Sequence, residues 1–250
     1  MPTPDDFYDD AEREARQALA LLYEAAADAV AALGSYDEAL AEAAVVDALS
    51  DDVQEQPLLD LLATLHTPVA EAVGTSTHAD LGGVRAARAL PVWADIVSAF
   101  LRLHGGALVK TMAGRSRAQV IAALRLVAPP LAADGAGLPT IARALRDEVS
   151  GMARRRATTI ARTEVIRASN YASLAGAAQA AEDTSLALVK IWVATGGGRT
   201  RESHAAADGQ RQPLDEPFVV GGEQAQYPGD PSLSAAESVN CRCTVAYEPA

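Results

Sequence analysis

The residue types best suited to chemistry lie near the C-terminal end of the sequence. Cys241 and Cys243 are the only two cysteines, and they fall in a stretch, 239–247, whose pattern predicts a β-strand. Alternate residues of a strand face the same side, so both thiols would lie on one face. With His204 they would supply three zinc ligands, and Asp208 is a candidate fourth. The alternative is a pair of small buried thiols in a reducing compartment, since an i, i+2 disulfide would be strained.

Charged residues of a predicted long helix form a second group of candidates. Arg154, Arg155 and Arg156 are consecutive, and helical neighbours differ by about 100° in direction, so these arginines spread around the helix. They could contact phosphates or only form a solvated face. Glu164 lies one turn from Arg167, which favours an ion pair at a helix junction over a catalytic carboxylate. His204 is open to three interpretations: a base, a ligand or a structural hydrogen-bonding group.

Two further patterns are weak. Gly196–Gly198 is glycine-rich, but neither nucleotide-binding motif, Gly-x-x-x-x-Gly-Lys-Ser/Thr or Gly-x-Gly-x-x-Gly, follows it. Residues 116–149 are predicted to form two short helices, a pattern similar to a helix-turn-helix. A possible capping box at Ser116 and Gln119 begins the first helix, and Thr140 is the N-cap of the second. The predicted connection, 128–139, is longer than the usual turn of that motif. A DNA-binding regulator using residues 116–149 therefore stays only an alternative.

The elements that must position these residues are mostly helices. Apolar residues recur at helical spacing in 9–33, 37–49 and from Pro57 onward. A loop is predicted over 74–83, a helix after Pro91, short helices between residues 116 and 149, and a long helix over 151–181. After Thr184 the chain becomes β-prone, with strands predicted at 186–193, 217–220 and 239–247 and a short helical turn before Gly209.

Composition supports this fold class and divides the chain by charge. Alanine makes up about a fifth of the 250 residues and aromatic residues only 4%, which favours helices over a large sheet core. The net charge of −12 hides a −14 balance over residues 1–60 and a +8 balance over residues 101–170. We expect a mainly α protein with an extended N-terminal helical arm and a small C-terminal α+β module. No signal peptide or membrane span is predicted, so synthesis in a cytoplasm is expected.

The motifs of the second half resemble a known family. The helix segment Ile160-Ala-Arg-Thr-Glu-Val-Ile-Arg-Ala-Ser-Asn170 is followed in order by a strand 190–195, Arg199-Thr-Arg-Glu-Ser-His204 and Asp208-Gly-Gln210. Residues 213–218, Tyr227-Pro-Gly-Asp230 and Asn240-Cys-Arg-Cys243 complete the series. This order resembles the phage head morphogenesis family, the Mu F-like minor head proteins of tailed phages, from about Leu90 onward. The family often has His-Pro before Asn-Cys-Arg-Cys, whereas this chain has neither, which weakens a metal site.

The resemblance implies a minor capsid protein inside the virion head, made in the host cytoplasm. Its expected partners are the portal protein, a scaffold or major capsid protein and packaged double-stranded DNA bound without sequence preference, with no membrane in the assembled state. It would assist head assembly and DNA packaging or ejection, without catalysis. The alternative is an enzyme, a transferase or metal-dependent hydrolase, using the C-terminal histidine and cysteines. No cofactor is expected, with zinc at His204, Cys241 and Cys243 as the alternative.

The resemblance and the charge pattern together predict domains and site residues. Residues 1–80 would form the acidic arm, 81–182 a helical region with the basic middle, and 183–250 the β-containing module. That module and helix 151–181 would make up the Mu F-like domain. The predicted DNA contacts are Arg115, Arg117, Arg154, Arg155 and Arg156. The predicted structural residues of the family motifs are Arg162, Thr163, Glu164, Trp192, Arg201, His204, Asp208, Gly209, Cys241, Arg242 and Cys243.

Overall fold

The protein is mostly helical, as the composition predicts. The computed structural model describes residues 3–83 and 93–250, so the start of the helix predicted after Pro91, and Leu90, lie outside the described residues. The helices are α1 Tyr8–Ala31, α2 Glu38–Ala48, α3 Asp51–Asp80, α4 Trp93–Phe100, α5 Gly106–Ala133, α6 Leu138–Thr184, α7 Glu202–Ala207 and α8 Ala235–Ser238. A 3-10 turn, Pro4–Phe7, precedes α1, and a π-helical turn, Leu101–Gly105, joins α4 to α5.

Helix α3 runs through the loop predicted at 74–83 and ends only at Asp80. Gly74 lies within the helix, at a position where a side chain would collide with neighbouring residues. A Cβ atom there would lie 2.3 Å from the ring of Trp93, and a Cβ atom on Gly176 would lie 2.5 Å from the carbonyl oxygen of Gly74. The glycine pair therefore allows the close approach of α3 to α6, and the turn-like composition of this stretch was misleading.

Helices α5 and α6 replace the predicted series of shorter helices between residues 106 and 184. Ser116 is not a cap, because its hydroxyl donates to the carbonyl of Met112 one turn earlier inside α5. Thr140 and Gly151 lie within α6, and Pro129 and Pro130 are accommodated in the last turns of α5. Only residues 134–137 connect the two helices, so the long connection predicted at 128–139 was wrong.

The described chain forms two compact units. One combines Met1–Ala11, Ala63–Phe100 and Thr159–Ala250, and the other combines Glu12–Leu62 and Leu101–Thr158. In the second unit the acidic helices are packed along the apolar stripe predicted for them, with Leu19 and Val30 fully buried. Acidic side chains of this unit also pair with its arginines: Asp28 with Arg146, Glu42 with Arg125 and Asp51 with Arg117.

The C-terminal module contains two small antiparallel sheets. The strands are β1 Leu188–Val193, β2 Arg211–Pro213, β3 Phe218–Val220, β4 Glu223–Ala225 and β5 Thr244–Pro249, with sheet orders β2-β1-β5 and β3-β4. Strands β2 and β4 and helix α8 were not predicted. Gly221 and Gly222, with φ of +60° and +83°, form the two-residue turn of the β3–β4 hairpin, a conformation that favours glycine.

A small core ties this module together. Trp192 of β1 is fully buried and contacts the Phe218 ring edge-on, at 5.4 Å between centroids. The same core includes Cys241 and Cys243. Period-two burial in β1 also turns Lys190 inward, where its ammonium donates to the backbone carbonyls of Leu214 and Gln226 at 3.0 Å each. Burial lowers the pKa of Lys190 to about 8.

Candidate functional site

The structure brings His204, Cys241 and Cys243 together in the core of the C-terminal module. Nδ1 of His204 lies 3.2 Å from Sγ of Cys243 and 3.7 Å from Sγ of Cys241. Each of the three residues is 2% exposed, and their potential ligand atoms all lie within 4.8 Å of one another. The predicted grouping of these three residues is therefore present in the fold, with both sulfurs directed at the same imidazole nitrogen.

The two cysteines reach this position from a turn, not from a strand. Strand β5 begins only at Thr244, so the strand predicted from Val239 was wrong over its first five residues. Asn240 has a φ of +56°, and the amide of Cys241 donates to the carbonyl of Ser238 at 3.3 Å. This turn follows α8 and folds the chain so that the amide of Cys243 lies 3.4 Å from Sγ of Cys241.

The opposite side of the His204 ring faces a carboxylate. Nε2 of His204 lies 3.0 Å from Oε2 of Glu237, and the same oxygen accepts a hydrogen bond of 2.8 Å from the hydroxyl of Ser203. Helix α8 positions Glu237 and helix α7 positions His204 and Ser203. Sequence reasoning missed Glu237, because an exposed-looking glutamate in a short helix has no pattern that distinguishes it.

The titration behaviour of the three groups follows from these contacts. The hydrogen bond with the Cys243 sulfur raises the pKa of His204, although burial opposes this shift. The hydrogen bond from the Cys241 thiol lowers the pKa of Cys243, against the effect of burial, and His204 lowers it further. The same thiol–thiol hydrogen bond, together with burial, raises the pKa of Cys241. The arrangement favours one thiolate beside an imidazole.

A cavity of about 580 Å³ opens onto the thiols and the imidazole. Its other walls include the glycine-rich segment 196–198 and four arginines, and no acidic residue is among its lining residues in the described chain. The arginines are Arg162, Arg199, Arg201 and Arg242. Asp208, the candidate fourth ligand, is not part of this group, because its carboxylate accepts a hydrogen bond of 2.8 Å from the amide of Ala194.

Glu164 forms a second buried polar group. Its carboxylate accepts hydrogen bonds from the guanidinium of Arg167 and, at 3.1 Å, lies against Nε2 of His66. Arg167 also donates through Nε to the carbonyl of Gly229 at 2.8 Å. Burial alone would raise the pKa of Glu164, but the charge of Arg167 and the contact with His66 outweigh it and hold the pKa at about 2. Glu164 is thus an ionised group that joins α6 to α3, and its partner Arg167 extends the network to the 227–231 loop.

The family-motif segments meet along α6. The hydroxyl of Thr163 accepts the amide of Asn240 at 3.1 Å. The side-chain amide of Asn170 donates to the carbonyls of Pro228 and Cys243, both at 3.0 Å. Arg201 donates to the carbonyl of Val239 at 2.5 Å. Among the remaining motif residues, Gly209 donates its amide to the carbonyl of Trp192 at 2.8 Å. These contacts hold the cysteine turn against the helix.

The predicted DNA contacts are placed in different environments. Arg115, Arg154 and Arg155 are exposed. Arg117 is paired with Asp51, and Arg156 turns inward, donating to the carbonyl of Met112 at 2.7 Å. Burial lowers the pKa of Arg156. Three of the five predicted arginines are therefore presented to solvent.

Comparison with known proteins finds a family match in the second half of the chain. The family described as Phage Mu protein F like protein matches residues 132–246, a shorter range than the one predicted from Leu90. Over 111 residues the chain is 34% identical to the NAD(+)--arginine ADP-ribosyltransferase EFV of Enterococcus faecalis, which covers 44% of this chain and 22% of that protein. Over 117 residues it is 35% identical to the uncharacterized protein YqbB of Bacillus subtilis, 45% of this chain and 37% of that protein.

The chain thus spans well under half the length of either relative. No solved structure matches it. Within residues 3–83 and 93–250, every helix is too short or too polar to cross a membrane.

Proposed function

Since residues 132–246 match the Phage Mu protein F-like family, we propose that the chain is a minor capsid protein of a tailed phage or prophage. In this proposal it associates with the portal inside the head, contacts a scaffold or major capsid protein, and assists head assembly and DNA packaging or ejection. The observation that carries the proposal is the meeting of the family motifs on α6. Thr163 and Asn170 hold the cysteine turn, and Asn170 and Arg167 hold the 227–231 loop.

The role we propose is structural and not catalytic. The side chains of the motif residues Glu164, Arg167 and Asn170 make buried hydrogen bonds, either with one another or with backbone carbonyls. The transferase named among the relatives shares only 22% of its length with this chain, so its activity is a property of that protein. The chain is similar over a comparable length, 117 residues, to YqbB, which is compatible with a structural module common to proteins of different kinds.

Contact with packaged DNA would use the exposed arginines of α5 and α6. Arg115, Arg154 and Arg155 face solvent, and arginines bind phosphates without reading sequence. We expect double-stranded DNA of any sequence to bind with an affinity that falls steeply with salt. A strong sequence preference would instead support the regulator alternative.

The proposal is tested on phage particles produced from the genome that encodes the chain. Mass spectrometry of purified virions should detect the chain at far fewer copies than the major capsid protein, and it should co-purify with the portal from procapsids. Particles made without its gene should form heads that package or deliver DNA poorly. If the chain is absent both from virions and from portal complexes, the proposal is wrong. Virions carrying His204→Ala with normal infectivity would exclude an essential enzyme that uses this histidine.

A further inference from the structure

We propose that His204, Cys241 and Cys243 bind one zinc ion through Nδ1 and the two sulfur atoms. The distances between the proposed ligand atoms are compatible with a shared zinc ion, since Nδ1 lies 3.2 and 3.7 Å from the two sulfurs. In a tetrahedral site with zinc–sulfur bonds of about 2.3 Å and zinc–nitrogen bonds of about 2.0 Å, ligand atoms are separated by roughly 3.5–3.8 Å. All three ligand atoms already lie within 4.8 Å of one another, so small adjustments would admit the ion.

The histidine is oriented as a metal ligand. Glu237 faces Nε2 at 3.0 Å, which favours the proton on that nitrogen and leaves the lone pair of Nδ1 pointing at the sulfurs. The contact is within ion-pair distance but is not aligned as a hydrogen bond, so a small rotation would give the carboxylate contact that metal-binding histidines commonly make through their second ring nitrogen. Ser203 donates to the same Glu237 oxygen at 2.8 Å and holds that carboxylate in place. Glu237 is therefore a positioning residue for the site.

Two thiols on one imidazole nitrogen favour a metal over a catalytic thiol. A thiol–imidazole–carboxylate nucleophile would use Cys243, His204 and Glu237, and Nδ1 of the histidine would need to face only one sulfur. In the fold both sulfurs approach Nδ1, and the Cys243 amide lies 3.4 Å from the Cys241 sulfur, a contact that stabilises a thiolate. Two thiolates and an imidazole are the ligands that zinc prefers, whereas magnesium and calcium prefer oxygen.

The site would have three protein ligands and one open position. The cavity of about 580 Å³ reaches His204, Cys241 and Cys243 and is lined by arginines at its other walls. Water or a small anion entering from that cavity would be the fourth ligand. Zinc sites with three protein ligands and an exchangeable fourth are a known class. In this site Asp208, which the sequence offered as a candidate fourth ligand, takes no part.

The first test is the zinc content of the full-length chain. The protein is expressed with added zinc, purified under reducing conditions, freed of loosely bound metal by gel filtration and examined by elemental analysis. We expect one zinc per chain. Replacement by cobalt should give the intense visible absorption of a tetrahedral thiolate site. A folded chain that carries less than a tenth of an equivalent, and takes up none on titration with zinc chloride, would overturn the proposal.

Variants then assign the ligands. Cys241→Ser, Cys243→Ser and His204→Gln should each lower zinc affinity at least tenfold, measured by competition with a chromophoric chelator. The matched control is His78→Gln, because His78 is equally buried but contacts Asp183; it should keep one zinc. Glu237→Gln should weaken binding roughly tenfold to a hundredfold. Unchanged affinity in Cys241→Ser, or in Glu237→Gln, contradicts the proposed geometry.

Thiol labelling keeps the test independent of variant folding. In the zinc-loaded wild-type chain, iodoacetamide should modify neither Cys241 nor Cys243, and a chelator should release one zinc and expose both. If labelling is the same with and without the chelator, the ion is not held by these sulfurs. A folded chain that takes up no zinc, and in which Cys243 alone reacts rapidly, would point to a nucleophilic thiol and overturn the zinc site.

Discussion

At the scale of single residues, Glu164 shows how a charge is kept ionised in a protein interior. It contacts Arg167 and His66 and is 4% exposed, and Arg167 in turn donates to the backbone of the 227–231 loop. Its folded-state pKa of about 2, against an ordinary value of 4.5, means that the folded state binds this proton less readily than the unfolded chain does. The stabilisation is complete above about pH 5 and is lost as the pH falls from 4.5 towards 2.

Glu164→Gln should therefore destabilise the protein by about 3 kcal/mol at neutral pH, because Arg167 is left as a buried charge without its partner. Urea unfolding followed by circular dichroism measures this loss. The variant should also lose less stability between pH 4.5 and pH 2 than the wild type does. The control is Glu71→Gln, an exposed glutamate of α3, which should change stability by less than about 0.5 kcal/mol. Equal effects of the two substitutions would contradict the buried ion pair.

At the scale of elements, the glycine pair Gly74 and Gly176 decides how closely α3 and α6 pack. A Cβ on Gly176 would meet the Gly74 carbonyl oxygen at 2.5 Å. That oxygen belongs to a helix backbone and cannot move aside as a side chain could. The same glycine composition led the sequence to predict a loop, because glycine in isolation disfavours a helix.

Gly176→Ala should destabilise the protein by roughly 1–3 kcal/mol, since the two helices must separate to admit the methyl group. Gly151→Ala is the matched control in the same helix, where a Cβ would meet nothing within 4 Å. It should stabilise by roughly 0.5–1 kcal/mol through helix propensity alone. Thermal melting of the two variants, compared with wild type, distinguishes them by the sign of the shift. A rise in melting temperature for Gly176→Ala would show that the close approach is absent.

At the scale of the whole molecule, the charge segregation seen in the sequence is partly neutralised inside the folded chain. Asp28, Glu42 and Asp51, all from the acidic first 60 residues, pair with arginines of α5 and α6. Each exposed pair adds little to stability, about 0–1 kcal/mol. Its larger effect is on surface potential, because the acids occupy arginines that could otherwise contact phosphates.

The triple variant Asp28→Asn/Glu42→Gln/Asp51→Asn should bind double-stranded DNA several-fold more tightly than wild type. The slope of log affinity against log salt should steepen by about 0.9 for each arginine that gains a phosphate. Fluorescence anisotropy at several salt concentrations measures both effects. A control variant, Asp47→Asn/Glu55→Gln/Asp147→Asn, changes the net charge equally at exposed positions of the same unit. Equal gains in both variants would mean that net charge, and not release of the paired arginines, controls binding.

Some properties of this protein follow from local sequence alone. Alanine-rich segments with regular apolar spacing form helices wherever they occur, so the helical class and most helix positions were predictable. The inward position of Lys190 with Trp192 in β1 is not among these properties, because both faces of that strand carry apolar residues. The motifs from Ile160 to Cys243 were sufficient to indicate the family, because their order in the chain is itself the signal.

Other properties were decided only by the tertiary structure. The contact between Glu237 and Nε2 of His204 could not be predicted from the strand expected at 239–247 or from residue spacing. It depends on the turn at Asn240 and on the two short helices that carry these residues. The continuation of α3 past Gly74 and the pairing of early acids with later arginines depend on segments about 100 residues apart. Local propensity measures what a segment prefers in isolation, whereas these contacts gain their free energy from a partner segment that folding brings alongside.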